Sequence, residues 1–408
     1  MRYLYLILSL CLTIEIQAKN IVYNPQIKSL QSVVNKDWLA PTVMRLDTDD
    51  VLSIDFDDIA QEFHQYAYHL ERCEADWGTS TEVFESDWLE GFNNNIIDDY
   101  AYSTNTTIPY IHYHLQLPND HCRLKLSGNY RLNIIKEEGD EIVASLEFMV
   151  SEQSMSLALH LSTNTDIDFQ KSHQQISASL IFGKEQITNP EEQIYFVVTQ
   201  NNREDNCRKN IRPTHISDNN MEWTHCRELI FESGNEYHKY EILDTSHPTM
   251  GIDYIHWDGM YFQVYPFINM PRPHYIYDKD ANGSFYIRNS DNIENETTCD
   301  YVWVNYRFRV PQLSNGSIYI QGRWTTEMPE LYLMHYDAKE KVYKTQILQK
   351  QGYYSFQYLW HKDDGTIHFL PSEGNFYQTE NRYQAYLYYK KLGERTWRLT
   401  AVREILSE

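Results

Sequence analysis

Six aspartates crowd a short stretch of the chain, and a pair of carboxylates is the usual machinery for hydrolysing a glycosidic bond. They are Asp47, Asp49, Asp50, Asp55, Asp57 and Asp58. A catalytic pair needs two carboxyl groups held apart across a cleft, whereas these residues follow one another along one turn and one strand. The pattern therefore favours a solvated loop and strand end over a hydrolase site.

Two short patterns contain metal-binding residue types. Residues 278–283 (Asp-Lys-Asp-Ala-Asn-Gly) match the first half of a calcium loop, but position twelve is Asn289, which cannot supply a bidentate carboxylate. A hairpin with an Asn-Gly turn is the better interpretation. His112 and His114 lie on one face of a strand and could give two ligands, with His69 as a third. Strand histidines are usually packed or solvated, so we expect no metal and no cofactor.

Motifs that frame a nucleophile, a nucleotide site or a catalytic zinc are absent from the sequence. It contains no Gly-x-Ser-x-Gly, no Gly-x-Gly-x-x-Gly, no Walker loop and no His-Glu-x-x-His. The 58 acidic residues outnumber the 35 Lys and Arg, and the resulting charge of −23 repels phosphate backbones. We therefore expect a non-enzymatic protein with no small-molecule substrate and no nucleic-acid partner.

Cysteines allow one local disulfide. Cys207 and Cys226 could close a loop worth on the order of 3 kcal/mol in the chain-entropy model. Five cysteines follow the N-terminal segment, so at least one thiol stays free, and idle thiols throughout are the alternative. The absence of a Cys-x-x-Cys pair argues against a zinc ribbon or a thioredoxin-type site.

Aromatic residues are the remaining candidates for a binding role. Trp77, Trp88 and Phe92 lie in turn-rich segments. Rigid aromatics in such places either anchor a protein partner as interface hot spots or fold back into the core of their own domain. Both interpretations stay open at this stage.

The elements that must position these residues are strands. Short runs such as 51–56 and 110–117 alternate apolar and polar residues between clusters of Pro, Gly, Asn and Asp, which is typical of half-buried antiparallel strands. The 33 tyrosines also favour strands. We expect an all-β protein of three successive antiparallel β-sandwich, immunoglobulin-like domains, at residues 19–154, 155–292 and 293–408.

Residues 1–18 predict a cleavable signal peptide. Arg2 gives a basic start, the apolar run from Leu4 to Ile14 is too short to span a bilayer of about 30 Å, and the small residue Ala18 ends the segment. No later apolar run approaches the length of a membrane helix. We therefore expect an exported protein with no direct membrane span.

Four sequence pieces between residues 70 and 130 agree in type, order and spacing with a known family. They are Leu-Glu-Arg-Cys-Glu-Ala-Asp-Trp at 70–77, Asp-Trp-Leu-Glu-Gly-Phe at 87–92, Ile-Asp-Asp-Tyr-Ala-Tyr-Ser at 97–103 and Leu-Lys-Leu-Ser-Gly-Asn-Tyr at 124–130. Through these pieces the chain resembles the plug proteins of the bacterial type IX secretion system. Later matching pieces at 233–237, 280–289, 351–358 and 373–381 extend the resemblance over nearly the whole mature chain.

That resemblance implies a periplasmic, β-rich subunit, peripheral to the outer membrane. Its implied partner is the large outer-membrane barrel translocon of the type IX system. The implied function is to seal the periplasmic mouth of the barrel channel when no substrate is in transit. Such a role needs no catalysis.

The last unit more weakly resembles the glycogen-binding type of carbohydrate-binding module. The similar residues are those at 318–324 and 351–358. Within this resemblance, Trp324 with Tyr354 or Trp360 either stacks on a sugar ring or fills the core of a unit that has lost its sugar site. A carbohydrate-binding or periplasmic interaction module is therefore the alternative function.

Overall fold

The fold is built almost entirely from strands. The computed structural model describes residues 20–60, 62–183, 185 and 187–407, so the predicted signal peptide at 1–18 lies outside the described residues. Strands make up 48% of the described residues and helical turns 6%. The prediction of an all-β protein is confirmed.

The described residues contain thirty strands, which we number in chain order. The first group is β1 (Asn20–Val22), β2 (Ile27–Val34), β3 (Val43–Arg45), β4 (Leu52–Asp58), β5 (Tyr66–Cys73), β6 (Leu89–Gly91), β7 (Asn95–Ile97), β8 (Asp99–Tyr102), β9 (Ile111–Leu117), β10 (Cys122–Leu124), β11 (Gly128–Lys136) and β12 (Glu141–Ser151). The second group is β13 (Ser156–Ser162), β14 (His173–Ile181), β15 (Ile194–Gln200), β16 (His215–Ile216), β17 (Asn220–Trp223) and β18 (Ile230–Glu232). The third group is β19 (His238–Ile242), β20 (Ile252–Trp257), β21 (Phe262–Pro266), β22 (Phe285–Ile287), β23 (Tyr301–Phe308), β24 (Ser317–Gln321), β25 (Leu333–Asp337), β26 (Val342–Lys350), β27 (Gly352–His361), β28 (Ile367–Phe369), β29 (Arg382–Tyr389) and β30 (Arg398–Leu406).

Helical structure in the described residues is limited to single turns. The α-helical turns are α1 (Glu85–Trp88), α2 (Pro190–Gln193) and α3 (Asn295–Thr298), and the 3₁₀ turns are Arg227–Leu229, Pro329–Tyr332 and Pro371–Glu373. Each of these turns lies immediately before a strand or between strands, so they act as connections.

Two sheets in the first 130 or so described residues enclose one apolar cluster, and we call this unit the first sandwich. One sheet has the order β1-β12-β11-β5-β7, with β3 beside β12, and the other has the order β2-β4-β9-β8. Along β4, Leu52, Ile54 and Phe56 are buried in that cluster. This alternation is the pattern expected of a strand with one face on the core.

Strand pairing crosses the predicted boundary between residues 292 and 293 in both directions. Strands β19 to β22 precede that boundary but belong to the sheet that contains β23, β26 and β27. In the other direction, β29 pairs with β15, and β30 pairs with β29. The linear division into 155–292 and 293–408 therefore does not follow the sheets. We call the strands around β14 and β15, with β29 and β30, the second unit, and those around β23 and β27 the third unit.

A buried ion pair joins the first sandwich to the third unit. Asp57 on β4 and Lys350 on β26 lie 2.7 Å apart, with side chains only 1% and 2% exposed. The Tyr301 hydroxyl donates to Asp57 at 2.6 Å, and His112 Nδ1 lies 2.8 Å from the same carboxylate. The Lys350 ammonium also lies 4.1 Å from the centre of the Tyr110 ring. These partners compensate both charges, so the two units are held in one orientation.

A second joint connects the first sandwich to β30. Arg72 is buried and donates from Nη1 to the Asn129 carbonyl at 3.0 Å and from Nη2 to the Trp397 carbonyl at 2.5 Å. Gly128 makes room for this guanidinium, because its φ is +133° and a Cβ there would lie 2.1 Å from Arg72 Nη1. The hydroxyl of Tyr388 on β29 adds a hydrogen bond to Asn129 Oδ1 at 2.8 Å.

We predict that alkaline pH weakens the fold through His112. Burial lowers the pKa of His112, but hydrogen bonds to Asp55 and Asp57 outweigh burial and raise it from 6.5 to about 9. A raised pKa stabilises the folded state fully below the unfolded pKa, and this stabilisation is lost as the pH rises through the folded pKa. We expect the contribution of His112 to the free energy of unfolding to fall by about 3 kcal/mol as the pH rises from 6.5 to 9.

Urea denaturation at constant ionic strength checks this, with His112→Gln as the control. The difference in unfolding free energy between the native protein and His112→Gln should shrink as the pH rises through this range. A difference that does not change with pH would contradict the prediction.

Candidate functional site

One edge of the first sandwich is the candidate site, because the terminal strands of both of its sheets meet there. Strand β7 ends one sheet and β8 ends the other. Only Asp98 separates the two strands, so the chain crosses from one sheet to the other at this edge. All four residues of β8 are exposed. A terminal strand of this kind offers backbone N–H and C=O groups to another chain.

Exposed apolar side chains concentrate at this edge. Phe92, three residues before β7, is 74% exposed, and Tyr102 on β8 is 61% exposed. The ring centres of Phe63 and Tyr100 lie 4.9 Å apart, and those of Tyr100 and Tyr102 lie 6.3 Å apart. Ile96 on β7 is also exposed. We call these five exposed residues, which lie on or near the two terminal strands, the apolar edge.

The apolar edge is supported from the core. Tyr100 lies opposite Tyr113 of β9, with their ring centres 5.9 Å apart. Tyr113 in turn stacks on Phe56 at 5.0 Å with nearly parallel rings. A rigid aromatic surface beside a terminal strand can bind a protein by strand addition and by hot-spot contacts.

Of the three residues predicted to contact a partner, only Phe92 lies at the apolar edge. Trp88 is buried in the core of the first sandwich, 5.6 Å from the ring of Tyr130. Trp77 is half-buried and packs against an apolar cluster that includes Tyr388. Trp88 and Trp77 therefore fill the core and the joint with the second unit.

Sequence reasoning missed the tyrosines of β8, although the signal was present. Tyr100 and Tyr102 both lie in the piece at 97–103 that carries the family resemblance. Their spacing of two residues along a strand places both side chains on one face.

The residues predicted to stack on a sugar do not form a platform. Trp324 and Tyr354 are both buried, and Trp324 Nε1 donates to the Ser355 carbonyl at 3.0 Å. Trp360 is half-buried, and the ammonium of Lys362 lies 4.7 Å above its ring. The burial of Trp324 and Tyr354 favours the alternative that they fill the core, and sugar stacking stays a prediction.

The disulfide that the sequence allowed between Cys207 and Cys226 is not formed. Cys226 is a buried free thiol in the cluster that contains Trp223 and Leu229. Cys207 packs in a different cluster, together with Trp397. The two sulfurs therefore belong to separate packing environments.

The crowded aspartates make structural contacts. Asp58 accepts from the Tyr66 hydroxyl at 2.8 Å and lies 2.7 Å from His64 Nδ1. Asp50 pairs with Arg45 at 2.8 Å, and this hydrogen-bonded pair lowers the pKa of Asp50. With Asp57 held in the buried ion pair, the cluster offers no acid and base facing a cleft.

Residues of the calcium-like loop and the strand histidines contact other protein groups. Asp278 pairs with the Lys239 ammonium at 2.5 Å. Burial raises the pKa of Asp280 to about 7. His114 Nδ1 lies 2.6 Å from Asp55. His69 Nδ1 forms its hydrogen bond with the side chain of Asn94. Within the described residues no group of three His, Cys, Asp or Glu is placed to hold a metal ion.

A search for membrane-spanning helices gives one further result. None of the helices in the described part of the chain is both long and apolar enough to cross a bilayer.

Comparison with known proteins gives two informative matches. Residues 27–152 match the family model described as the type 9 secretion system plug protein 1st domain. A crystal structure of a hypothetical protein from Parabacteroides merdae ATCC 43184 is 34% identical, covers 96% of this chain and 100% of that chain, and superposes with a TM-score of 0.92. The family match spans the first sandwich and its apolar edge, and the structural match extends over the other units.

Other comparisons add nothing to this. The C-terminal domain of the Streptococcus pyogenes antigen I/II-family protein AspA covers 93% of this chain and 99% of that chain at 8% identity, but its TM-score of 0.17 supports no shared fold. No curated protein matches the sequence.

We predict that Trp324→Ala destabilises the protein without changing any retention on glycans. Truncating a buried aromatic costs about 3–5 kcal/mol, because contacts are lost and a cavity remains. Urea denaturation measures that loss, and retention on insoluble glycan measures sugar binding. Trp360→Ala is the control and should cost less, because Trp360 is only half-buried. An unchanged unfolding curve together with lost glycan retention would contradict this.

Proposed function

We propose that this chain, which belongs to the family of type IX secretion system plug proteins, seals the outer-membrane barrel channel of that system. It does so from the periplasmic side when no substrate is in transit. Family membership itself indicates a role in type IX secretion, a periplasmic or outer-membrane-associated location and a non-enzymatic, structural function. The sealing of the barrel is the further step.

The apolar edge is the observation that carries the proposal. It lies within the residues that match the plug family, and the pieces at 87–92 and 97–103 build most of it. An exposed group of aromatic side chains beside a terminal strand is costly to leave in water, which supports a protein partner for this surface. The barrel rim supplies such a partner by adding backbone groups and apolar contacts to β8.

The joints between the units suit a sealing body. A wide channel is closed by a large surface that does not deform, and the buried contacts of Asp57 and Arg72 hold the first sandwich against the rest of the chain. In this proposal the sheets form three immunoglobulin-like sandwich units, of which the second and third exchange strands. The signal peptide at residues 1–18 delivers this body to the periplasm.

The seal must also be reversible, because a secreted substrate has to displace the plug. A few hot-spot residues within a polar surround give moderate affinity and a measurable rate of release. The polar neighbours of the apolar edge, Asp98 and Asp99, are acidic and keep it soluble when it is free.

We predict that Tyr102→Asp weakens binding to the barrel complex. A hot-spot residue contributes about 2 kcal/mol or more, so the affinity should fall roughly 30-fold. Affinity purification from an outer-membrane extract measures the recovered barrel. Ile276→Asp is the matched control, because Ile276 is 76% exposed on the connection between β21 and β22, where its neighbours Tyr275 and Tyr277 bond to Glu236 and Glu380. Equal recovery of the barrel with both variants would exclude the apolar edge as the binding surface.

We also predict that deleting the gene leaves the barrel assembled but leaky. Large antibiotics that the outer membrane normally excludes should enter the deletion strain, and the native protein, but not Tyr102→Asp, should restore exclusion. Plug and substrate in transit should not occupy one barrel together. The sealing function fails if the deletion adds no leak, or if plug and substrate co-purify on the same barrel at equal occupancy.

A further inference from the structure

We propose that the cleft between the second and third units binds a carboxylate-bearing segment of a partner protein. This site is separate from the apolar edge, and it goes beyond the sealing of the barrel. A failure here therefore leaves the proposed sealing function untouched.

The cleft is concave and large enough for several side chains. Its volume is about 580 Å³, within the range of ligand sites. One wall is the segment after β15, which carries Arg203 and Arg208, and the other is the turn and strand from Gly365 to Phe369. Two units therefore have to be correctly assembled before the cleft exists.

The charge of the cleft is opposite to that of the chain. Three arginines, Arg203, Arg208 and Arg227, face two carboxylates, Asp205 and Glu232, so the lining is net positive even with its histidines neutral. The whole chain has a formal charge of −23. A cationic cleft within an anionic protein concentrates anionic ligands at one place.

Arg203 lies in the lining of this cleft as a buried arginine that is already paired. Its side chain is 3% exposed, and Nε donates to Asp205 Oδ1 at 3.1 Å. Its Nη1 is buried with no hydrogen-bond partner in the part of the chain that the structure describes. Nη2 also pairs with Asp205, so Arg208 and Arg227 are the lining arginines left to bind a ligand.

Two aromatic rings hold the arginines in place. The Arg203 guanidinium lies 4.8 Å from the centre of the Phe369 ring, and that of Arg208 lies 5.1 Å from the Phe231 ring. Stacked guanidinium groups lose little entropy on binding, and their planar fork matches the two oxygens of a carboxylate.

The apolar part of the lining indicates a peptide. Ile230, Ile367 and Phe369 line the same cleft as the arginines, and Ile167 lies exposed at its side. A small inorganic anion would leave the exposed Ile167 and the half-buried Ile367 and Phe369 in contact with water, whereas a segment that alternates acidic and apolar side chains would cover them. The occupant that fits both features is an acidic, partly apolar protein segment.

Fluorescence anisotropy with the full mature chain tests the site. The probe is a labelled, capped peptide of alternating Glu and Leu, and the control probe has Gln in place of each Glu. We expect saturable binding of the Glu peptide only. The double variant Arg208→Gln with Arg227→Gln should weaken it at least tenfold. Arg212→Gln, an exposed arginine outside the lining, should leave it unchanged.

Several results would overturn the proposal. They are no binding of the Glu peptide, equal binding of the Gln peptide, or equal weakening by Arg212→Gln. Competition by inorganic phosphate as effective as that of unlabelled Glu peptide would also overturn it, because the site would then recognise a free anion. The variants at Arg208 and Arg227 are on the surface of the cleft, so circular dichroism and thermal unfolding should match the native protein.

Discussion

The buried pair of Asp57 and Lys350 constrains the rest of the structure. Two charges held almost completely away from water are tolerated only while each keeps its partners, and the partners come from different units. A hinge motion that separated β4 from β26 would break the Asp57–Lys350 ion pair and the Tyr301–Asp57 hydrogen bond together. The first sandwich and the third unit therefore move together, and the apolar edge is presented at a fixed angle to the cleft on the far units.

Period-two alternation made the strands predictable, because the residues of a strand with one buried face alternate between apolar and polar types. Leu52, Ile54 and Phe56 are an example. The partners of each strand were not predictable, since β29 pairs with β15 across the whole third unit. Burial of single aromatics was equally hidden. Trp88 and Phe92 lie in one short piece, yet one is in the core and the other is exposed. That difference depends on tertiary packing, which local sequence does not record.

The residues that carry the family resemblance have two distinct physical roles. Arg72, Gly128 and Asn129 belong to the matching pieces and build the joint with β29 and β30. Phe92, Tyr100 and Tyr102 belong to the pieces between them and are exposed at the apolar edge. The resemblance therefore combines residues that are buried at a joint between units with residues that are exposed beside a terminal strand, and a pattern match alone does not separate them. The structure separates them by burial.

The return of β29 and β30 to the second unit has a consequence for biogenesis. A chain that emerges from a ribosome or a transport pore with its N-terminus first cannot complete the second unit until residue 406 is available. Until then, Phe196 and Trp223 lack the strands that cover them, and such exposed surface favours aggregation or capture by chaperones. Prematurely ended chains therefore cannot bury this surface, and only chains that extend through β30 complete the second unit.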